Sequence, residues 1–339
     1  MDAALITEDS ISADEQKLYD RQIRLWGLDA QKRLRSSRIL LVGLGGLGAE
    51  VAKNVILTGV KSITLMDDVT LTQENSVATF LAPKDKLGSN RAEVSLERAQ
   101  GLNPNVVVIA DPGPLDKKPD SFFINFDVVC LTDCSIEQIL RVNHICRENK
   151  IKFFAADVFG FFGFVFEDLL KHEYAREVPA NMGPASKKPK YDIEMKTVKK
   201  ISEFVAFKDI WELDLTHEEL APMAKGIHPL YFLIHSLLSF RKLEKRKPHP
   251  STKEGDGKKI QDLIGEFVNK SNLKLSKLPE NFEQKVFGEL SPVCAVVGGV
   301  LAQEAIKASS HKDTPHNNFF LFDGLQCLGI VEKIFPPEP

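Results

Sequence analysis

Apolar positions follow two alternating rhythms along this chain. Tyr19, Ile23, Trp26, Ala30 and Leu34 recur at helical spacing within Ser12–Arg35, which predicts an N-terminal helical region. Ser12 and Glu15 have the Ser-x-x-Glu spacing of a capping box, and Gly27 is expected to break the run into two helices. Arg38–Leu44 (RILLVGL) is nearly continuous in apolar residues, as buried parallel strands are. A glycine-rich turn, a helical run over Ala49–Leu57 and a strand over Ser62–Met66 follow, the last ending in Asp67-Asp68. Further on come a helix at Arg91–Gly101, strands at Val106–Ile109 and Asp127–Leu131, a helix at Ile136–Glu148 and a strand at Ile151–Ala155. This alternation predicts a Rossmann-like α/β fold, a mostly parallel sheet with helices on both faces. Phe159–Phe166 (FGFFGFVF) predicts a hairpin or edge strand packed on that sheet.

The rhythm changes after residue 170. Lys171–Lys200 is polar, carries Pro179, Pro184 and Pro189, and reads as a flexible insertion. Leu230–Leu243 predicts a helix, and the charged Glu244–Lys259 (EKRKPHPSTKEGDGKK) a second loop. Lys258–Lys270 and Asn281–Glu289 predict helices. Ser291 is expected to cap a strong helix with Pro292 in its first turn. Gly298-Gly299 within it suggests close approach to another element. Phe319–Phe322 and Gly329–Ile334 predict antiparallel strands at the C-terminal edge of the sheet. The expected division is N-terminal helices over 1–36, a Rossmann-like adenylation-type core over 37–170, the basic insertion over 171–200, and the rest of that domain over 201–339 with the charged loop near 244–259.

Composition narrows the function classes. The 339 residues contain 44 Lys and Arg against 47 Asp and Glu, a net charge of -3, so no global field draws the protein to nucleic acid or a membrane. No apolar run reaches the ~18–20 residues of a membrane span, and Met1–Ser10 lacks the pattern of a secretory signal. The five cysteines (Cys130, Cys134, Cys146, Cys294, Cys327) form no Cys-x-x-Cys pair, which argues against a structural zinc site or a disulfide framework.

Candidate chemistry begins at Gly43-x-Gly45-x-x-Gly48. Such a turn aims backbone N–H groups and a helix N-terminus at an anion such as a phosphate. Asp67, 19 residues beyond Gly48, is placed to bond a ribose hydroxyl. The motif alone fits an NAD-dependent oxidoreductase as well as an ATP-using enzyme, and the glycines also suit a tight strand–helix crossing with no ligand at all.

Tyr19-Asp20-Arg21-Gln22-Ile23-Arg24-Leu25-Trp26-Gly27 followed by the GxGGxG turn resembles the adenylating domains of ubiquitin-like-protein activating enzymes, relatives of the enzymes that adenylate sulfur-carrier proteins. Pro292–Glu304 and Pro315–Gly324 extend the similarity to the small subunits of the heterodimeric members that act on SUMO. In that family an active domain pairs with a silent one. An active domain carries Asn-x-Asn-Arg-Gln-Phe, where this chain has Asn75-Ser76-Val77-Ala78-Thr79-Phe80, and Lys where this chain has Arg91. Asp133 keeps the expected acid. Val77 and Ala78 offer no charge or side-chain donor to a phosphate, so adenylation, which needs fixed cations and donors, is not expected here.

The resemblance therefore implies a non-catalytic subunit. Its partners would be a large catalytic subunit and, through the complex, SUMO. ATP and Mg2+ would be bound mainly by the partner, and Gly43, Gly45, Gly48 and Asp67 would form a vestigial pocket. The resemblance also implies that Arg21 enters the partner's ATP site in trans, as an arginine finger does. Periodicity agrees, because at 100° per residue Arg21 points about 190° from the centre of its helix's apolar stripe. Arg24, about 130° away, is a weaker candidate. No cysteine stands in an electropositive setting suited to a thioester nucleophile. Lys187-Lys188-Pro189-Lys190 fits a nuclear-import signal, so a nuclear location is expected. The alternatives are a self-sufficient homodimeric adenylating enzyme of the sulfur-carrier type, the oxidoreductase above, and a pure scaffold in which only dimerisation matters.

Overall fold

The computed structural model describes residues 11–179, 195–215, 217–271 and 278–336. The N-terminal region forms three short helices, α1 (Ala13–Leu18), α2 (Asp20–Trp26) and α3 (Leu28–Ser36). Ser12 and Glu15 make the capping box, each side chain accepting from the other's backbone N–H. The break at Gly27 (φ 88) is as expected, but a further break falls at Tyr19, which closes α1 and opens α2.

A Rossmann-like order follows: β1 (Arg38–Val42), α4 (Gly46–Leu57), β2 (Ser62–Met66), α5 (Arg91–Leu102), β3 (Val107–Asp111), α6 (Asp120–Phe123), β4 (Val128–Thr132), α7 (Ile136–Glu148) and β5 (Lys152–Phe159). The eight-stranded sheet is completed by β6 (Phe162–Asp168) and by two C-terminal strands given below. Strands β3, β2, β1, β4 and β5 lie side by side and parallel. The run Phe159–Phe166 is a hairpin corner, not an edge: β6 pairs antiparallel with β5 on one side and with a C-terminal strand on the other.

Alternation along each strand divides the core between two faces. Leu40 and Val42 face one cluster and Ile39 and Leu41 the other. Phe162, Phe164 and Phe166 all join the first cluster, so one face receives the aromatic density of FGFFGFVF.

The segment expected to be a flexible insertion instead starts and ends as a ribbon, β7 (Lys171–Pro179) paired antiparallel with β8 (Met195–Glu203). Lys187–Lys190 lies outside the described residues. Next come α8 (Phe207–Trp211), α9 (Ala221–Gly226) and α10 (Pro229–Glu244). The charged stretch 244–259 is not a solvated loop. The Asp256 carboxylate accepts from Arg246 (2.7 and 2.8 Å), the His249 backbone N–H (3.0 Å) and the Thr252 hydroxyl (2.7 Å), folding the connection before α11 (Lys253–Ser271). The helix expected at Asn281–Glu289 is a single 3-10 turn, Phe282–Gln284, because Asn281 (φ 54) and Gly288 (φ 74) both take the left-handed conformation.

The C-terminal helix α12 (Ser291–Ser310) begins one residue earlier than expected. Leu290 is its cap, its carbonyl accepting from Cys294 N–H, and Ser291 makes no side-chain cap. Pro292 sits in the first turn, where its missing N–H costs nothing. The close approach inferred from the glycine pair occurs at Gly298, where a Cβ would come 2.8 Å from Glu50 of α4. Strands β9 (Phe319–Asp323) and β10 (Leu328–Glu332) finish the antiparallel edge, giving the order β10-β9-β6-β5-β4-β1-β2-β3. Among the described residues no helix is long and apolar enough to cross a membrane.

Phe166 is fully buried, with its ring 5.0 Å from Phe207 and 5.1 Å from Phe319. Phe166→Ala is expected to lower stability by about 3–5 kcal/mol in chemical denaturation. A loss below about 1 kcal/mol would contradict this account of the aromatic face.

Candidate functional site

The sheet changes winding direction between β1 and β4, which places a crevice at their carboxyl ends. Gly43, Gly45, Gly48, Asp67, Arg91 and Asp133 all converge there. Gly43 takes φ 86, and a Cβ on it would collide with the Thr132 carbonyl. A Cβ on Gly48 would collide with the Gly43 carbonyl. Helix α4 starts at Gly46, inside the motif and three residues earlier than the periodicity indicated.

The amides of this turn already meet an anion. The half-buried Glu289 accepts the Gly46 N–H through Oε2 at 2.8 Å. A carboxylate of the chain itself thus occupies the positive end of α4. The Ala78 methyl and Cys294 Sγ close over Gly46 from above.

Asp67 is engaged as well. Its Oδ2 accepts from the Leu44 N–H (2.6 Å) and from the Arg91 guanidinium (2.7 Å), while Oδ1 accepts from the Val69 N–H (2.9 Å). Asp67 and Arg91 are each 4% exposed. Burial pushes the Asp67 carboxyl up from its ordinary range, and Arg91 with the two amides pulls against it. The position expected to bond a ribose is therefore turned inward onto Arg91.

Asp133, at the end of β4 with φ 55, pairs with Arg241 (3.0 Å) and Lys247 (3.1 Å). Asp157 of β5 pairs with the same two cations, Arg241 at 2.9 Å. Burial pushes Asp133 up, but Lys247 and Arg241 win and hold it at about 2. Asp157 lies deeper, and burial raises it to about 6 despite the same cations. Asn75 is spent on its own turn, accepting from Thr72 N–H at 2.8 Å and donating to the Thr70 carbonyl at 3.0 Å. Val77 is 75% exposed and Ala78 faces the glycine turn.

The space around these groups falls into two parts. The cavity beside Asp67 and Arg91, reaching Leu115 and Gln138, measures about 80 Å3, against the ~300–1,000 Å3 of ordinary ligand pockets. A wider cleft of about 540 Å3 opens beyond it between Val77, Lys247, His249 and Glu289. The groups that would meet phosphates or a metal in it are those already paired within the chain.

Arg21 is elsewhere. Helix α2 is held by Asn103 Nδ2 donating to the Tyr19 hydroxyl (2.9 Å), Gln22 Nε2 donating to the Leu57 carbonyl (3.1 Å), and Trp26 Nε1 donating to Gln31 (3.0 Å). Leu57 ends α4 and the glycine turn begins it, so by 1.5 Å per residue the two lie about 18 Å apart. Arg21 is exposed and makes no hydrogen bond or ion pair to the described residues, whereas Arg24 pairs with Asp20 at 3.0 Å. Leu18 (58% exposed) and Leu25 (74% exposed) flank it. Cys130, Cys134, Cys146 and Cys294 are buried, and burial pushes each thiol well up. Cys327 is exposed.

Sequence reasoning missed Glu289, Lys247 and Arg241. Glu289 lies in a stretch read as helix and Lys247 in one read as solvated loop. Nothing local marks either, since Glu289 is 243 residues from Gly46 and Lys247 is 90 from Asp157.

A Rossmann-like sheet with a glycine turn after β1 and an acid after each flanking strand, β2 and β4, is a nucleotide-binding type of fold, and residues 19–335 match the ThiF family. The chain belongs to that family. It is 48% identical over 334 residues to "SUMO-activating enzyme subunit 1" of Xenopus tropicalis, covering 95% of this chain and 96% of the relative. The protein of the same name from Danio rerio is 49% identical, covering 95% of both chains. That from Homo sapiens is 48% identical, covering 96% of this chain and 97% of the relative.

Asp133 binds its proton more weakly in the fold, near 2, than in the unfolded chain, near ~3.9. Its stabilisation is complete above pH ~4 and drains away as pH falls toward 2. The stability difference between wild type and Asp133→Asn is therefore expected to shrink on acidification through that window in urea unfolding. A difference that stays constant or grows would contradict the ion pairing described.

Proposed function

We propose that this chain is the non-catalytic subunit of a heterodimeric SUMO-activating enzyme and supplies Arg21 in trans to the ATP site of its large catalytic partner. The observation that carries this reading is the uncommitted Arg21 guanidinium, held on a helix anchored to the end of α4 remote from its own crevice. The internally paired groups of that crevice support it from the other side. Val77 and Ala78 stand where phosphate donors are needed, and Asp67, Asp133 and the glycine turn already have partners. The relatives' name, with its word "subunit", agrees.

In the partner's site the C-terminal carboxylate of SUMO attacks the α-phosphorus of ATP. The bond to the bridging oxygen breaks and pyrophosphate leaves, giving an acyl-adenylate. A cysteine of the partner then displaces AMP to form the thioester. Negative charge builds on the leaving pyrophosphate, and a fixed guanidinium from a second chain stabilises it there. Arg is suited to this because its planar fork meets two phosphate oxygens and stays charged. The exposed Leu18 and Leu25 beside Arg21 give the partner an apolar surface to seat against. A nuclear location belongs to the same proposal.

Arg21→Ala is expected to lower ATP–pyrophosphate exchange by the assembled heterodimer 10- to 1,000-fold, about 1.4–4 kcal/mol of transition-state stabilisation. Subunit association, read by size-exclusion chromatography, should remain intact. An unchanged exchange rate removes the role of Arg21. Exchange by this chain alone, at a rate near that of the complex, would instead favour the self-sufficient homodimeric enzyme.

A further inference from the structure

On the face of the sheet covered by α12, far along β6 from the crevice, three metal-ligating side chains meet. Glu167 of β6 and Glu304 of α12 are each 1% exposed, and His316 lies in the segment leading to β9. One ligand atom from each lies within 4.8 Å of the others. The placement is set by the backbone. Glu167 N–H donates to the Asn318 carbonyl at 3.0 Å, His316 N–H donates to Glu304 Oε2 at 2.9 Å, and the His316 ring stacks on Phe320 with centroids 5.9 Å apart.

The satisfaction of these groups is uneven. Glu304 has the Lys307 ammonium at 2.6 Å as well as that backbone donor. Among the described residues both carboxylate oxygens of Glu167 are buried with no hydrogen-bond partner, while His316 Nδ1 makes no hydrogen bond but lies 3.5 Å from Glu304 Oε1. A buried carboxylate without a donor carries a large desolvation cost unless a cation or a proton answers it. The arrangement thus has an unmet acceptor aimed at a second carboxylate and an imidazole.

We propose that Glu167, Glu304 and His316 form a binding site for a single borderline divalent transition cation of the Zn2+ type. One imidazole nitrogen with two carboxylate oxygens is a donor set Zn2+ accepts, with water completing four-coordination. Ca2+ calls for six to eight oxygens and Mg2+ holds its water, so neither suits three mixed donors. The ligand atoms close from within 4.8 Å to the separation of about 3.4 Å that a tetrahedron with ~2.0–2.1 Å bonds demands. Lys307 reaches the cluster from the rim, where its side chain is 15% exposed and its ammonium also donates to the Thr314 carbonyl at 3.1 Å. Its flexible stem lets it withdraw, and two carboxylates then match one dication in charge. The ion joins β6 to α12 and to the 311–318 connection that follows it, elements more than 120 residues further along the chain.

The test uses the full chain carrying Cys327→Ser, since Cys327 is exposed and a free thiol is itself a competing zinc ligand. After chelation and desalting, Zn2+ alone is titrated by calorimetry and the retained metal is measured. One equivalent is expected to bind and to raise the melting temperature. Glu167→Gln should weaken binding at least tenfold, while Lys307→Gln should leave it intact or tighten it. If Glu167→Gln does not fold without metal, His316→Gln is read in its place with the same expectation. Absence of stoichiometric Zn2+ in the parent chain, equal affinity in Glu167→Gln, or an equal loss in Lys307→Gln would each overturn the proposal. The first of these would leave a proton shared between the two carboxyl groups as the answer to Glu167.

Discussion

Asp67 and Arg91 meet at 2.7 Å at the carboxyl end of a parallel sheet, both almost wholly buried. Neither charge can be left there alone, because removing one partner of a buried pair typically costs about 3–5 kcal/mol. That constraint shapes the crevice. The guanidinium occupies the space beside the acid, and the two amides at Leu44 and Val69 fix the carboxylate facing inward. The same logic is repeated twice nearby. Asp133 and Asp157 share Arg241 and Lys247, and the first amide of α4 faces Glu289. Asp67, Arg91, Asp133 and the first amide of α4 have thus each been answered from within the chain.

How much of this was legible in the sequence depends on the range of the interaction. RILLVGL reads as a strand because both its faces are buried, and Ser12 with Glu15 reads as a cap because both partners lie within one turn. The αβ order, the hairpin at Phe159–Phe166 and the close approach at Gly298 follow from equally local patterns. Lys247 defeats the same method. Its neighbours are charged residues, prolines and glycines, a composition that reads as solvated, yet Asp256 folds the stretch and turns Lys247 toward two acids. An ion pair between residues 90 positions apart imposes no period on either segment. The departures at Val77, Ala78 and Arg91 are visible against the family pattern, but the partners that Arg91 and Asp133 find in the fold are not.

The N-terminal helices illustrate a middle case. Periodicity placed Arg21 opposite the apolar stripe, and the fold leaves it exposed. The kink at Tyr19 was not readable, since no Gly or Pro marks it. It arises because the Tyr19 ring is drawn inward, packs against Gly59 and meets Asn103, which ends one helix and starts the next. A hydrogen bond to the Leu57 carbonyl of α4, with others to Asn103 after α5 and to Gln31 of α3, then fixes a seven-residue helix beside the far end of α4. Stiffness of this kind matters for a residue that acts on another molecule, because a charge stabilises a developing charge only if it is already in place.

The glycine turn shows why a motif and a function can part company. Gly43 is required by its positive φ and by the Thr132 carbonyl, and Gly48 by the Gly43 carbonyl. Thr132 adds to this crowding, its hydroxyl donating toward the Val42 and Gly43 carbonyls at 2.9 Å each. These demands come from bringing α4 close to β1 and β4, and they persist whether or not a phosphate ever arrives. The uncharged Val77 and Ala78 nearby bring no relief of the steric pressure on the glycines. The turn therefore reports the packing of the fold. The chemistry is reported by the side chains around it, by which charges they carry and whether those charges already have partners.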